Sequence, residues 1–346
     1  MVYINGRFLS QRLTGIQRFA YEICCALQQI GVEYTILAPA DIRGDYDLKD
    51  LSVEVIGGKG SHYWEQVSLP LYMHRHHNGQ LLVSLSGLSP LLYSNNILTI
   101  HDVSYLLRPR SYSWAYCLYY QIMTPLVAKR AKKIMTVSAF SKRELVDRLG
   151  LEAEKIGVVY NAVRPTDILP KSETERYLLA VGSLVPRKNI KRLLEAYCSI
   201  EQPDYDLYIV GGMHAIYANA ELSAYTGRKG VRFLGYVSGE ELTRLYRNAT
   251  AYTNPSLYEG FGIPLVEAMH QQCPLVVSDI PAFHEVCGDA ALYYNPLSVD
   301  DIREKINHIM QDAPMRRQLA NEGTKQASRF SWKQSAMEIK KIIEEL

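Results

Sequence analysis

Short runs of apolar and β-branched residues alternate along the chain with longer stretches whose apolar positions recur every three to four residues. The first pattern suits a strand buried on both faces and the second an amphipathic helix. Their alternation predicts parallel sheets joined by crossover helices. In the front half, strands are predicted at 2–4, 34–38, 52–55, 81–84, 97–100, 133–137 and 157–160, with helices at 16–29, 112–130 and 140–148. A polar, proline-bearing and aperiodic stretch, 161–173, then reads as a linker. A second series follows, with strands at 177–181, 207–210, 231–234, 251–254, 274–277 and 291–293. The expected fold is α/β, two Rossmann-like doubly wound parallel-sheet domains facing a cleft. The first covers 1–165 and the second 174–330, and a last helix over 331–346 carries a narrow stripe of Ala336, Ile339, Ile342 and Ile343 that must pack on something.

Length supports two domains, since 346 residues exceed the ~100–200 of one ordinary domain. Hydrophobic residues make up 47% and charged ones 21%, the balance of a globular protein, and no apolar run approaches the ~20 residues that span a bilayer. The opening Met1-Val2-Tyr3-Ile4-Asn5-Gly6-Arg7 lacks the basic, apolar and small-residue succession of a secretory signal, so a cytoplasmic location is expected. Six cysteines, at 24, 25, 117, 198, 273 and 287, show no metal-ligand spacing and read as reduced core residues. The net charge of +2 divides into +5 over 1–165 (18 basic, 13 acidic) and −3 over 166–346 (20 basic, 23 acidic). That is too diffuse for a nucleic-acid footprint.

The chemistry concentrates in Asn254-Pro255-Ser256-Leu257-Tyr258-Glu259-Gly260-Phe261-Gly262-Ile263-Pro264-Leu265-Val266-Glu267-Ala268-Met269. This stretch leaves the carboxyl end of a predicted strand, where open α/β sheets bind ligands, and feeds a helix whose first N–H groups are an anion site. Gly260 and Gly262 allow close backbone approach to a diphosphate, with Phe261 and Ile263 beside them, and Pro264 suits the first helical turn. Glu259 and Glu267, eight residues apart, can each accept from a pair of sugar hydroxyls.

This string resembles the signature of glycosyltransferase family 4, retaining enzymes of the two-lobed GT-B fold. The resemblance continues in Cys273-Pro274-Leu275-Val276-Val277-Ser278-Asp279-Ile280-Pro281, in His284-Glu285-Val286-Cys287-Gly288-Asp289-Ala290-Ala291, and in Val181-Gly182-Ser183-Leu184-Val185-Pro186-Arg187-Lys188-Asn189. It implies that Glu259 contacts the transferred sugar, Glu267 the ribose, and Lys188 the donor diphosphate. Many members carry arginine where this chain has Ser183, so Arg187 either supplies that charge or is a surface arginine. Donor selection is expected around 210–213 and 233–237, which contain Gly211 and Tyr236. By the same analogy the last helix crosses back to the first domain.

In the front half, Thr14-Gly15-Ile16-Gln17-Arg18-Phe19 opens a helix after a polar loop. The resemblance places Gly15 near the donor diphosphate, and Arg18 either adds charge or is a helix-surface residue. Thr99-Ile100-His101-Asp102 resembles a segment of mannosyltransferase-like members, with His101 lining the site and Asp102 orienting it or capping the next turn. Residues 103–143 hold no acidic group but eight basic ones, interleaved with Tyr105, Tyr112, Trp114, Tyr116, Tyr119 and Tyr120. Such a stretch suits contact with an anionic membrane around a lipid-linked acceptor, or a buried helix with a basic end.

The expected activity is retaining transfer of a hexose from a nucleoside-diphosphate sugar (GDP-, UDP- or dTDP-linked) to a glycan acceptor hydroxyl. The likeness to bacterial surface-polysaccharide enzymes points to O-antigen or capsule assembly. Asp45-Tyr46-Asp47 and Asp204-Tyr205-Asp206 match the Asp-x-Asp metal motif but lie far from the signature, so no essential metal and no cofactor are expected. Rival readings are a nucleotide-sugar 2-epimerase on the same fold and a catalytically inactive sugar-nucleotide binder. An NAD-dependent dehydrogenase needs a Gly-x-Gly-x-x-Gly after the first strand that this chain lacks.

Overall fold

A computed structural model of the chain describes residues 1–164, 166–171, 176–201, 203–212 and 220–346. It divides into two units, Met1–Ala162 with Ser331–Leu346, and Val163–Phe330. The first unit therefore ends inside the expected linker, whose Pro165, Ser172 and Glu173 lie outside the described residues, as does Met213 of the expected donor-selecting stretch.

Among the described residues, the first unit contains a seven-stranded sheet of β1 (Val2–Asn5), β2 (Tyr34–Ala38), β3 (Val53–Val55), β4 (Leu81–Ser84), β5 (Asn96–Thr99), β6 (Lys133–Thr136) and β7 (Ile156–Val158). The order is β3-β2-β1-β4-β5-β6-β7 and every pairing is parallel. Parallel sheets need crossovers that cover both faces, which is why the central strands β1, β4 and β5 are buried along nearly their whole length instead of alternating. Strand ends differ from the expected ones by a residue or so, because ladder hydrogen bonding rather than side-chain propensity decides where pairing stops.

The helix Gly15–Gln29 buries Phe19, Ala20, Ile23, Cys24, Ala26 and Leu27. Against it lies the last helix, Trp332–Glu344, capped by Ser331, with Trp332, Ala336, Ile339 and Ile342 buried. The Trp332 ring meets Phe19 edge-on at 5.9 Å, and Ser335 Oγ donates to the Tyr160 carbonyl at 2.7 Å. Gly157 on β7 permits this approach, since a Cβ there would stand 2.8 Å from Ile342 Cδ1. Each isoleucine buried this way is worth ~1.5–3 kcal/mol, so the tail belongs to the first unit's core.

One element escapes the hydrophobic pattern. Trp64–Ser68 forms a π-helical turn that runs directly into the helix Leu69–His76, with Pro70 just past the junction.

The second unit holds β8 (Tyr177–Val181), β9 (Asp206–Val210), β10 (Val231–Gly235), β11 (Ala251–Asn254), β12 (Leu275–Ser278) and β13 (Ala291–Tyr294). Their order is β10-β9-β8-β11-β12-β13, again parallel throughout. β8 is thus the strand from which the chain first winds one way, to β9 and β10, and then the other, to β11 onward. Ligands of open α/β sheets bind at the carboxyl ends of such reversals. All six cysteines are free thiols, with Cys24, Cys117, Cys273 and Cys287 buried.

Candidate functional site

The two loops that leave the carboxyl ends of β8 and β11 meet. After β8, Pro186–Lys188 makes a tight turn ended by Asn189 in the left-handed region (φ 57°), whose Nδ2 donates to the Pro296 carbonyl at 2.8 Å. After β11, the loop turns back so that Leu257 N–H donates to the Arg187 carbonyl at 2.8 Å. That backbone link places three charges together. Arg187 Nη1 lies 3.1 Å from Glu259 Oε2, and the Lys188 ammonium pairs with Glu259 Oε1. Arg187 is therefore part of the cluster and not a solvated surface arginine, whereas Ser183 is exposed.

Glu259 is only 7% exposed. Burial by itself would raise its pKa, but Lys188 and Arg187 outweigh burial and, with hydrogen bonds from Lys188 and Ser256, hold it at about 2. The group is a fixed carboxylate at neutral pH, able to accept hydrogen bonds and to face developing positive charge, and unable to donate a proton. Ser256 Oγ lies 2.7 Å from both Glu259 Oε1 and Asn254 Oδ1, and can donate to one at a time. Glu267, half-buried on the helix Ile263–His270, accepts from Tyr246 at 2.9 Å. Ser256 and Tyr246 are supports that sequence reasoning missed. Ser256 stands inside the recognised motif, one short loop before Glu259, while Tyr246 comes from the preceding helix Gly239–Asn248 and had no local signal.

Backbone forms much of the remaining surface. Gly262 caps the helix with φ 106°, and a Cβ there would meet Leu265 Cδ1 at 2.8 Å. Gly211 passes so near the end of β8 that a Cβ would lie 2.1 Å from the Gly182 carbonyl oxygen, which no other residue tolerates. Tyr236 is exposed, with its ring over Gly212. Phe261 does not join this surface through its side chain, which is buried edge-on against Phe330 at 5.3 Å; Gly260 beside it is buried and Ile263 half-buried.

In the first unit, His101 follows β5. Its Nε2 lies 3.0 Å from the Leu85 carbonyl, and because a carbonyl only accepts, Nε2 carries the hydrogen and Nδ1 is the acceptor nitrogen. Burial lowers its pKa, against the opposing effects of the Leu85 carbonyl and Asp102, so the ring is neutral; Phe19 meets it edge-on at 5.0 Å. Asp102 accepts from Ser104 N–H at 2.8 Å and so caps the following turn. Gly15 opens its helix at an exposed position with Arg18 one turn on, also exposed. The paired aspartates are engaged elsewhere, Asp45 with Arg43, Asp204 with Arg176 and Asp206 with Arg232. Among the described residues no group of three or more His, Cys, Asp or Glu side chains could hold a metal.

Two doubly wound parallel sheets, one with a lysine, an arginine and a glutamate gathered where its strand order reverses, make up the GT-B fold. Residues 166–326 match the family model described as glycosyl transferases group 1, and residues 13–167 that of glycosyltransferase family 4. The chain belongs to glycosyltransferase family 4. It is 36% identical over 236 residues to the O-antigen chain mannosyltransferase RfbU of Salmonella typhimurium and 33% identical over 254 residues to the O-antigen chain mannosyltransferase B of Escherichia coli. Each match takes in 68% of this chain and 66% of the relative, just under two thirds of its length. Solved structures share the fold at low identity. WaaG, a glycosyltransferase involved in lipopolysaccharide biosynthesis, superposes with a TM-score of 0.76 at 18% identity over 99% of both chains. Anabaena HepE, in complex with UDP and glucose, gives 0.76 at 17% identity over 100% of this chain and 99% of that one.

Proposed function

We propose that this chain transfers a hexose, with mannose as first choice, from a nucleoside-diphosphate sugar to a hydroxyl of a lipid-linked glycan acceptor, retaining the anomeric configuration, in O-antigen or capsule assembly. The observation that carries this reading is the Lys188–Arg187–Glu259 cluster at the reversal of the second sheet. As the bond from the anomeric carbon to the diphosphate breaks, negative charge grows on the leaving phosphate and positive charge on the sugar. Two cations and one permanent carboxylate side by side match that separation, and they act most strongly in the transition state. Glu267 takes the ribose hydroxyls, and the backbone at Gly211, Gly260 and Gly262 takes the phosphates. Retention rests on family membership; front-face attack, with the departing phosphate receiving the acceptor's proton, requires no protein nucleophile.

Melting the protein with GDP, UDP and dTDP in turn tests the reading and selects the base. A nucleotide at ~100 times its Kd raises stability by about 2.7 kcal/mol. One of the three is expected to shift the melting temperature by several degrees, with the sugar-linked form turned over when a mannose-rich lipid-linked acceptor is added. No shift with any of them overturns the proposal.

Membrane contact belongs to the same reading. Within Trp114–Arg130, Trp114 (78% exposed), Leu118, Ile122 and Leu126 form an exposed apolar stripe at four-residue spacing. Exposed Arg108, Arg110, Lys129, Arg130 and Lys132 lie on and beside that helix. No helix among the described residues is long and apolar enough to cross a membrane. The chain is expected to sediment with phosphatidylglycerol vesicles, to be released as salt rises from ~0.1 to ~1 M, and to lose binding on Leu118→Asp. Equal sedimentation with phosphatidylcholine, or none with either lipid, rejects the contact.

A further inference from the structure

A second charged cluster, unused by the reactions above, sits in the first unit. β1 is flanked by β2 on one side and β4 on the other, so the first sheet also reverses its strand order, and here too the carboxyl ends carry polar groups. Asn5, at the end of β1, donates through Nδ2 to Glu65 Oε1 at 3.2 Å and to Ser84 Oγ, at the end of β4, at 3.2 Å. Arg7 Nη1 lies 2.7 Å from Glu65 Oε2. Glu65 is fully buried, placed by the π-helical turn Trp64–Ser68, and Gly87 (φ 71°) passes so close that a Cβ would stand 3.0 Å from its Oε1. Burial lifts the Glu65 pKa above the usual carboxylate range against the pull of Arg7 and Asn5.

Buried ion pairs are poor sources of stability compared with an apolar core, and π-turns concentrate at functional sites. What this one supports is His62. Its Nδ1 lies 3.3 Å from Arg7 Nη1, and its ring packs on Tyr119 at 4.5 Å while remaining half-exposed. Partial burial and the Arg7 charge push its pKa down to about 4, so the ring is neutral. Nε2 also lies 3.5 Å from Arg7 Nη2, and since Arg7 only donates, one ring nitrogen accepts from the guanidinium while the other keeps its hydrogen. In the two residues that touch His62, Arg7 Nε and the Tyr119 hydroxyl are buried without hydrogen-bond partners among the described residues. Tyr116 and Tyr120 stack at 4.3 Å on the same helix as Tyr119. Hydrogen-bond donors beside aromatic faces suit a ligand that carries hydroxyls on an otherwise apolar ring.

We propose that the cluster is an acceptor subsite, in which His62, held by Arg7 and Glu65, hydrogen-bonds a sugar hydroxyl of the glycan and Tyr119 flanks that sugar. This rests on the glycosyl-transfer reading. The test is saturation-transfer NMR of the purified chain with n-octyl α-D-mannopyranoside, alongside melting with GDP, UDP and dTDP. His62→Ala is expected to weaken the glycoside about tenfold or more and to leave the nucleotide shift unchanged. His62→Gln, which keeps a donor, is expected to bind nearly as wild type. Glycoside binding unaltered by His62→Ala, or no binding by a wild-type chain that still responds to a nucleotide, overturns the subsite alone. Loss of every nucleotide response instead removes the transferase reading beneath it.

Discussion

Replacing Glu259 with alanine is expected to lower sugar transfer by about 10²–10³-fold and to lower stability as well. The first effect follows from losing the carboxylate that faces the developing positive charge, where one well-placed electrostatic group is typically worth ~10²–10³ in rate. The second follows from the cluster itself. Lys188 and Arg187 both pair with Glu259, which is itself only 7% exposed, and stranding largely buried partner charges costs ~3–5 kcal/mol. Glu259→Gln separates charge from shape, and its turnover should fall nearly as far. Steady-state turnover and calorimetric melting, on both variants, check the pair of effects; wild-type turnover by Glu259→Gln refutes the role. The same interaction sets an acid limit. Because the folded pKa is depressed, to about 2, its stabilisation is complete above the ordinary carboxylate range and is lost as pH falls towards 2.

Lys188→Ala should act differently. Arg187 still neutralises Glu259, so melting should change little, while turnover drops by ~10²–10³ through loss of the cation beside the leaving phosphate. Lys188→Arg should recover only part, since a planar fork does not replace a compact ammonium packed beside Gly182. A variant that retains full kcat and shows only a raised donor KM would demote Lys188 from transition-state stabiliser to ordinary binding group.

Most of the fold was legible because a strand buried on both faces must be written in continuous apolar residues, as Leu178-Leu179-Ala180-Val181 and Leu275-Val276-Val277 are. The segment 64–76 was not, because its inward positions include Glu65, and a charge that ends up fully buried cannot announce itself by polarity. The same cause hid the Asn5–Arg7–Glu65 cluster, in which Glu65 stands 60 residues beyond Asn5. In the second unit the motif made Glu259, Glu267 and the glycines visible, yet what holds the glutamates came from packing. Ser256 lay within view, whereas Tyr246 reaches Glu267 from another helix. Phe261 shows the opposite failure, since adjacency to a ligand loop says nothing about which side of the loop a ring takes. Arg187, which sequence left open between surface and site, was decided by one backbone hydrogen bond from Leu257.

The return of residues 331–346 to the first unit bears on how the protein is made. A chain emerging from the ribosome usually completes its amino-terminal domain first. Here the first sheet is synthesised first, but the helix that covers Gly15–Gln29 and packs against Gly157 follows the whole of the second unit. The inserted unit can therefore finish folding while the earlier one still exposes the groove for Trp332, Ile339 and Ile342. Newly made chains pass through an interval with a complete second unit and an open, sticky amino-terminal half, which is the stage at which chaperones would be needed.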